Sequence, residues 1–279
     1  MKYLLAFVRI VLLAVYTLAL VLSLFILYWV IGVFNKDLSV RIIHYLTPAL
    51  AWPLRVILGI RVRIFNRERM PKDRGFLMAS NHLGYIEVIA LLKIRPMAFV
   101  AKDEIEKWPV IGAVVKAVGT VFVDRRTGGL SEVYIKKVSD VVNNKINFWF
   151  SPEKTTSDGT WLRPFSSALF VVANQLKCPL VPAVFVIKGL NGKPLDEKRR
   201  SQIAWATDKK GVDTPFFKHF LRFLTLGIVR IDMHVLEPVV PDYDDKDIDA
   251  RRAFSNEIHR RMSEELAKHE PDFDRERTA

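Results

Sequence analysis

A single cysteine, Cys178, in 279 residues excludes an internal disulfide framework and most cysteine-based metal sites, and fits a chain whose bulk sits in a reducing compartment. The six histidines are scattered without paired ligand spacing, so no metal site is expected. Acidic residues are in deficit: 42 Lys and Arg stand against 30 Asp and Glu, a net charge of +12, while half the chain is hydrophobic. That combination favours an anionic partner, either phospholipid headgroups or nucleic acid. The chain lacks a zinc-finger pattern, a helical basic region and an aromatic ribonucleoprotein motif, so nucleic acid loses its support and a membrane surface is preferred. There is no internal repeat and no low-complexity tract.

What is present begins with an apolar run. Val11 to Phe34 carries no charge over 24 residues, more than the roughly 20 that span a hydrocarbon core as a helix. Tyr28, Trp29 and Phe34 near its far end read as interfacial anchors, and the run is too long for a secretory signal, so it is read as retained. A second stretch, Ile42 to Ile60, is broken by His44, Pro48, Pro53 and Arg55. It suits the membrane interface better than a crossing, and the two segments together suit a hairpin. Seven Lys or Arg and two acids lie between Lys36 and Arg69, while only Lys2 and Arg9 precede the run. This bias places the remainder of the chain on the cytoplasmic side of the membrane. Residues 1–59 are thus expected to anchor, and residues 60–279 to form one domain.

In that domain short apolar runs alternate with amphipathic ones. RVRIF from Arg61, GFLMAS from Gly75, MAFVAK from Met97, GTVFVD from Gly119, INFWF from Ile146 and PLVPAVFVI from Pro179 read as strands. Residues 129–143 and 165–175 read as helices, and IVRIDMHVLEPVV from Ile228 as a late, half-buried strand. The fold class is α/β, a mostly parallel sheet flanked by helices and preceded by a membrane-embedded helix or helical hairpin. KGLNGKPLDEKRR from Lys188 reads as a surface excursion. Ile248, Phe254, Ile258, Met262 and Leu266 share one side of a final charged helix that caps the core.

The segment SNHLGYIE, residues 80–87, directly follows the strand GFLMAS, where sheet folds place reactive side chains. His82 precedes Glu87 by five positions. If the intervening residues turn into a helix, the carboxylate accepts the Nδ1 proton and leaves Nε2 as a base able to activate a hydroxyl. Taken alone, the pair is also what an ordinary structural histidine looks like. Cys178 has no histidine near it in sequence and reads as a small buried hydrophobe, and Ser80 has no triad signature.

Four blocks give the pair a context. NHLGYIE at 81–87, GTVFVDRR at 119–126, SPEKTTSDG at 151–159 and LVPAVFV at 180–186 resemble, in order, the blocks of the glycerolipid acyltransferase family, which includes 1-acylglycerol-3-phosphate and lyso-ornithine lipid acyltransferases. The resemblance implies that His82 is the general base and Glu87 its partner. It further implies that Asn81, Arg125, Arg126, Glu153, Lys154, Thr155 and Thr156 serve the substrates, with Arg125 the first choice for a phosphate clamp. The implied donor is acyl-CoA or acyl carrier protein, and the implied acceptor a lysophospholipid, 1-acyl-sn-glycerol-3-phosphate first. Direct transfer needs no cofactor and no metal. Three positions depart from the pattern: Glu87 stands for the usual Asp, Ser151 for an aromatic or aliphatic residue, and Lys154 for glycine. Glutamate keeps the charge. Lysine at 154 crowds a place where glycine allows a positive φ, which leaves open another lysolipid acceptor, such as lyso-ornithine lipid, or a degenerate site that only binds lipid.

Overall fold

The chain opens as two long helices laid against each other. The computed structural model describes residues 1–32, 36–94, 97–108, 112, 120–123, 132–206 and 214–278. Helix α1 (Lys2–Gly32) has 31 residues, about 46 Å at 1.5 Å per residue, longer than a hydrocarbon core of about 30 Å. Leu18, Leu22, Phe25 and Ile26 are exposed on it, unlike the central helix of a soluble core. Helix α2 (Lys36–Leu58) starts earlier than its apolar stretch and runs through Pro48 and Pro53, each of which removes one ladder hydrogen bond. The Tyr16 hydroxyl donates to the Leu50 carbonyl, and the Arg9 guanidinium lies beside Gly59, so the helices are antiparallel. Phe34 and the side chains of Tyr28 and Trp29 lie outside the described residues.

Among the described residues seven strands follow: β1 (Ile60–Phe65), β2 (Leu77–Ser80), β3 (Met97–Lys102), β4 (Val121–Val123), β5 (Asn147–Phe150), β6 (Leu180–Leu190) and β7 (Val229–Val235). They form one sheet in the order β1-β7-β6-β2-β5-β3-β4. Every neighbouring pair is parallel except β6 with β7, which agrees with the mostly parallel sheet read from the alternation. Strands buried on both faces read as continuous apolar runs, as in LMAS of β2 and NFWF of β5. β7 departs from the half-buried strand expected of it, because it lies between β1 and β6 and exposes only Arg230. Its Asp232 is buried and takes both ends of the Arg63 fork at 3.0 Å.

Alternation along the strands divides the core in two. On one face, Met78, Trp149 and Phe185 pack with α3 (Tyr85–Leu91), and with Ile203 and Phe223. On the other, Leu77, Phe148 and Val184 pack with α4 (Glu132–Asn143), α5 (Phe170–Gln175) and the last long helix. The excursion after Lys188 proves partly ordered structure. Residues 188–190 extend β6, only the turn through Asn191–Asp196 is a loop, and α6 (Glu197–Ile203) follows, N-capped by Asp196. Helix α7 (Phe216–Leu224) packs against α1. Buried Arg9 donates to the carbonyls of Leu224 at 3.1 Å, Gly227 at 3.2 Å and also Leu226, so an arginine from α1 satisfies carbonyls left over at the end of α7. Helix α8 (Ile248–His269) buries Ile258, Met262 and Leu266 as its apolar stripe requires, whereas Ile248 stays exposed in the first turn.

Candidate active site

β2 ends at Ser80, and the next residues turn sharply into α3. Gly84, at φ +117°, makes that turn; a Cβ there would lie 2.8 Å from Cβ of Trp205, so both conformation and space demand glycine. The turn brings His82 and Glu87 together: Nδ1 of His82 is hydrogen-bonded to Oε1 of Glu87, which sits wholly buried in the first turn of α3. The His82 side chain remains 22% exposed. Its ring meets Trp149 edge to face at 5.8 Å, and Trp149 Nε1 in turn donates to the Ser80 hydroxyl at 2.8 Å. A ring held this way by a carboxylate at Nδ1 offers Nε2 as a base.

The backbone of His82 is held by residues 151–163. Its N–H donates to Glu153 Oε1 at 2.8 Å, and its carbonyl accepts from Ser157 N–H at 2.7 Å. Glu153 Oε2 accepts from Arg163 N–H at 3.0 Å. Burial pushes the Glu153 carboxyl up to about 8, against the pull of those two donors. Asn81 is equally committed: its Nδ2 donates to the Phe185 carbonyl at 3.0 Å and its Oδ1 accepts from Phe185 N–H at 2.7 Å. It therefore extends the β2–β6 ladder by a side chain. Among the expected substrate contacts, then, Asn81 and Glu153 are fully engaged within the protein. Lys154 and Thr155 are exposed and Thr156 is half-buried beside them. Lys154 does adopt the left-handed conformation, at φ +62°, that glycine would take with ease. Arg125 and Arg126 lie outside the described residues.

Other groups fall away from this centre. Cys178 contacts the Gly75 carbonyl, at the opposite end of β2 from His82, and burial pushes its thiol up to about 11. Three features carried no signal in the sequence read locally. The C-terminal residues pack on the loop that holds His82: the Trp161 ring lies between the guanidinium groups of Arg163 and Arg277, at 4.7 and 4.1 Å, and Asp274 N–H donates to the Thr160 carbonyl at 2.8 Å. Arg200 of α6 is buried in a bidentate pair with Glu270, at 2.7 and 3.0 Å. The chain after α6 returns to the site, where Trp205 N–H donates to the Leu83 carbonyl at 2.9 Å. All three are contacts distant in sequence; Phe216, Phe220 and Phe223 of α7, which the sequence reading did not single out, also form an aromatic wall around Tyr85.

Comparison with known proteins gives this geometry relatives. The acyltransferase family profile matches residues 61–186. Lyso-ornithine lipid O-acyltransferase of Rhizobium meliloti is 28% identical over 76% of this chain and 70% of its own length. A 1-acyl-sn-glycerol-3-phosphate acyltransferase of Neisseria gonorrhoeae is 38% identical over 34% of this chain and 38% of its own. The crystal structure of the 1-acyl-sn-glycerophosphate acyltransferase of Thermotoga maritima superposes with a TM-score of 0.62 at 20% identity, over 95% of this chain and 97% of that one.

Proposed function

The chain belongs to the acyltransferase family, and from that premise we propose that it moves a fatty acyl group from a thioester onto the free hydroxyl of a lysophospholipid. The observation that carries the reading is the imidazole of His82, oriented by a buried carboxylate at Nδ1 and still partly exposed. Nε2 takes the acceptor's hydroxyl proton as the oxygen attacks the thioester carbonyl. Glu87 stabilises the imidazolium thus formed. Collapse of the tetrahedral intermediate breaks the carbon–sulfur bond, and the imidazolium returns its proton to the departing thiolate. No acyl-enzyme forms.

Within this reading Glu153 and Asn81 position the base, while Arg125 and Arg126 meet the acceptor's phosphate, for which guanidinium geometry is suited. Lys154, Thr155 and Thr156 lie at the rim for the headgroup. The donor is acyl-CoA or acyl carrier protein, both anionic partners for a basic chain. Residues 1–59 anchor the catalytic residues 60–279 to the cytoplasmic face of the membrane.

The acceptor is 1-acyl-sn-glycerol-3-phosphate in the first instance. Lyso-ornithine lipid is the second reading, favoured by the long rhizobial match and by Lys154 in place of glycine. Labelled acyl-CoA offered with a panel of lysolipids distinguishes them. His82→Ala is expected to lower kcat about 10²–10⁴-fold on whichever acceptor is used. Near-normal transfer by that variant removes the base, and no transfer by the native protein to any lysolipid leaves a lipid-binding fold.

A further inference from the structure

On the face of the sheet opposite Trp149 and His82, the fold gathers three potential metal ligands that are far apart in sequence or hidden by it. His234 of β7 pairs across the ladder with Val184 and points with it towards α8. Glu265 and His269 lie one turn apart on α8, with His269 Nε2 3.1 Å from Glu265 Oε1. The His234 and His269 rings stack at 3.6 Å, and one ligand atom from each of the three residues lies within 4.8 Å of the others. We infer that His234, Glu265 and His269 form a binding site for a divalent transition-metal ion, with zinc as its natural size and charge, which ties α8 to β7.

The chemistry of the donor set supports zinc over calcium or magnesium. Two imidazoles and one carboxylate oxygen are the ligands of tetrahedral zinc, the fourth place going to water, whereas hard cations require mostly oxygen. Phe65 stacks on the far face of His234 at 4.7 Å and fixes its ring. Ligands on a tetrahedral zinc lie about 3.3 Å apart, so the three atoms must close in from their present spread. Rotation of the His269 ring out of its stack provides that movement. Two cations border the cluster without taking its donor atoms. Lys268 holds Glu265 Oε2 at 3.0 Å, leaving Oε1 on His269, and Lys188 holds the His269 carbonyl at 2.9 Å. The ion would have no part in acyl transfer. It would fix the end of α8, next to the Glu270 carboxylate that grips Arg200.

The test uses the full-length protein in detergent, freed of any affinity tag and stripped with a chelator. Titration with zinc chloride is expected to show one saturable site and a rise in Tm. His269→Ala and His234→Ala are each expected to weaken zinc binding at least a hundredfold and to abolish the rise in Tm, while His82→Ala leaves both intact. Unchanged zinc affinity in the α8 and β7 variants, or zinc binding lost only with His82→Ala, overturns the site. Cobalt(II) on the native protein gives a reading that needs no variant. An intense visible absorption of a four-coordinate centre, saturating at one equivalent, supports the site; only the pale spectrum of the hydrated ion overturns it.

Discussion

Glu153 receives two backbone N–H groups while buried, and the two influences on its proton are opposed. Burial prevails and lifts the carboxyl to about 8, well above its value in an unfolded chain. The folded protein therefore holds that proton more tightly, and stability falls as pH rises from about 4.5 to about 8 by no more than about 1.4 kcal/mol per pH unit. Glu153→Gln is expected to flatten this decline, read as the difference in denaturation midpoint between pH 5.5 and 8; an equally steep fall in the variant assigns it to other groups. Asn81 presents the complementary case. Its amide substitutes for a stretch of strand, so Asn81→Ala leaves the Phe185 N–H and carbonyl unpaired in the core. A loss of about 1–3 kcal/mol per stranded group follows, measured by denaturant unfolding, with KM for the acceptor little changed. A large KM effect at unchanged stability would return Asn81 to the substrate.

At the scale of elements, the sheet was legible because its strands announce themselves. LMAS, NFWF and LVPAVFVI are apolar runs of strand length, and their alternation with amphipathic helices gives the parallel order. The meeting of His82 with Glu87 was also legible, since five residues with a glycine between them are enough to start a helix. What stayed hidden were contacts between distant segments. Nothing local in KGLNGKPLDEKRR marks Arg200 as buried, because its partner Glu270 lies 70 residues on. Nothing near Ser157 marks its N–H as the donor to the His82 carbonyl. The Arg200–Glu270 pair is costly to leave half-made: Glu270→Ala strands a guanidinium in the core and should cost about 3–5 kcal/mol. Thermal unfolding checks it, and a loss under 1 kcal/mol would mean that exposed Asp272, 3.1 Å from the same guanidinium, suffices alone.

At the scale of the whole molecule, the helical hairpin is built into the catalytic body rather than tethered to it. Arg9 reaches the end of α7, and α2 runs through Gly59 directly into β1. α7 itself carries exposed Phe217 and Leu221 beside α1. Removing residues 1–59 should shift the protein from the membrane fraction to the soluble fraction and lower its stability at the same time, since the carbonyls of Leu224 and Gly227 lose their donor. Flotation with liposomes and a melting curve report the two effects separately. Full retention on liposomes by the truncated chain would move the anchor elsewhere.

A single segment, 151–163, clasps the amide and the carbonyl of His82 and, on the proposed function, also presents exposed Lys154 and Thr155 to the arriving lipid. Recognition and reactivity therefore share one hinge pin: substitutions that reshape the rim for a new headgroup also tilt the imidazole, so changes of substrate taste through this segment should come with changes in turnover.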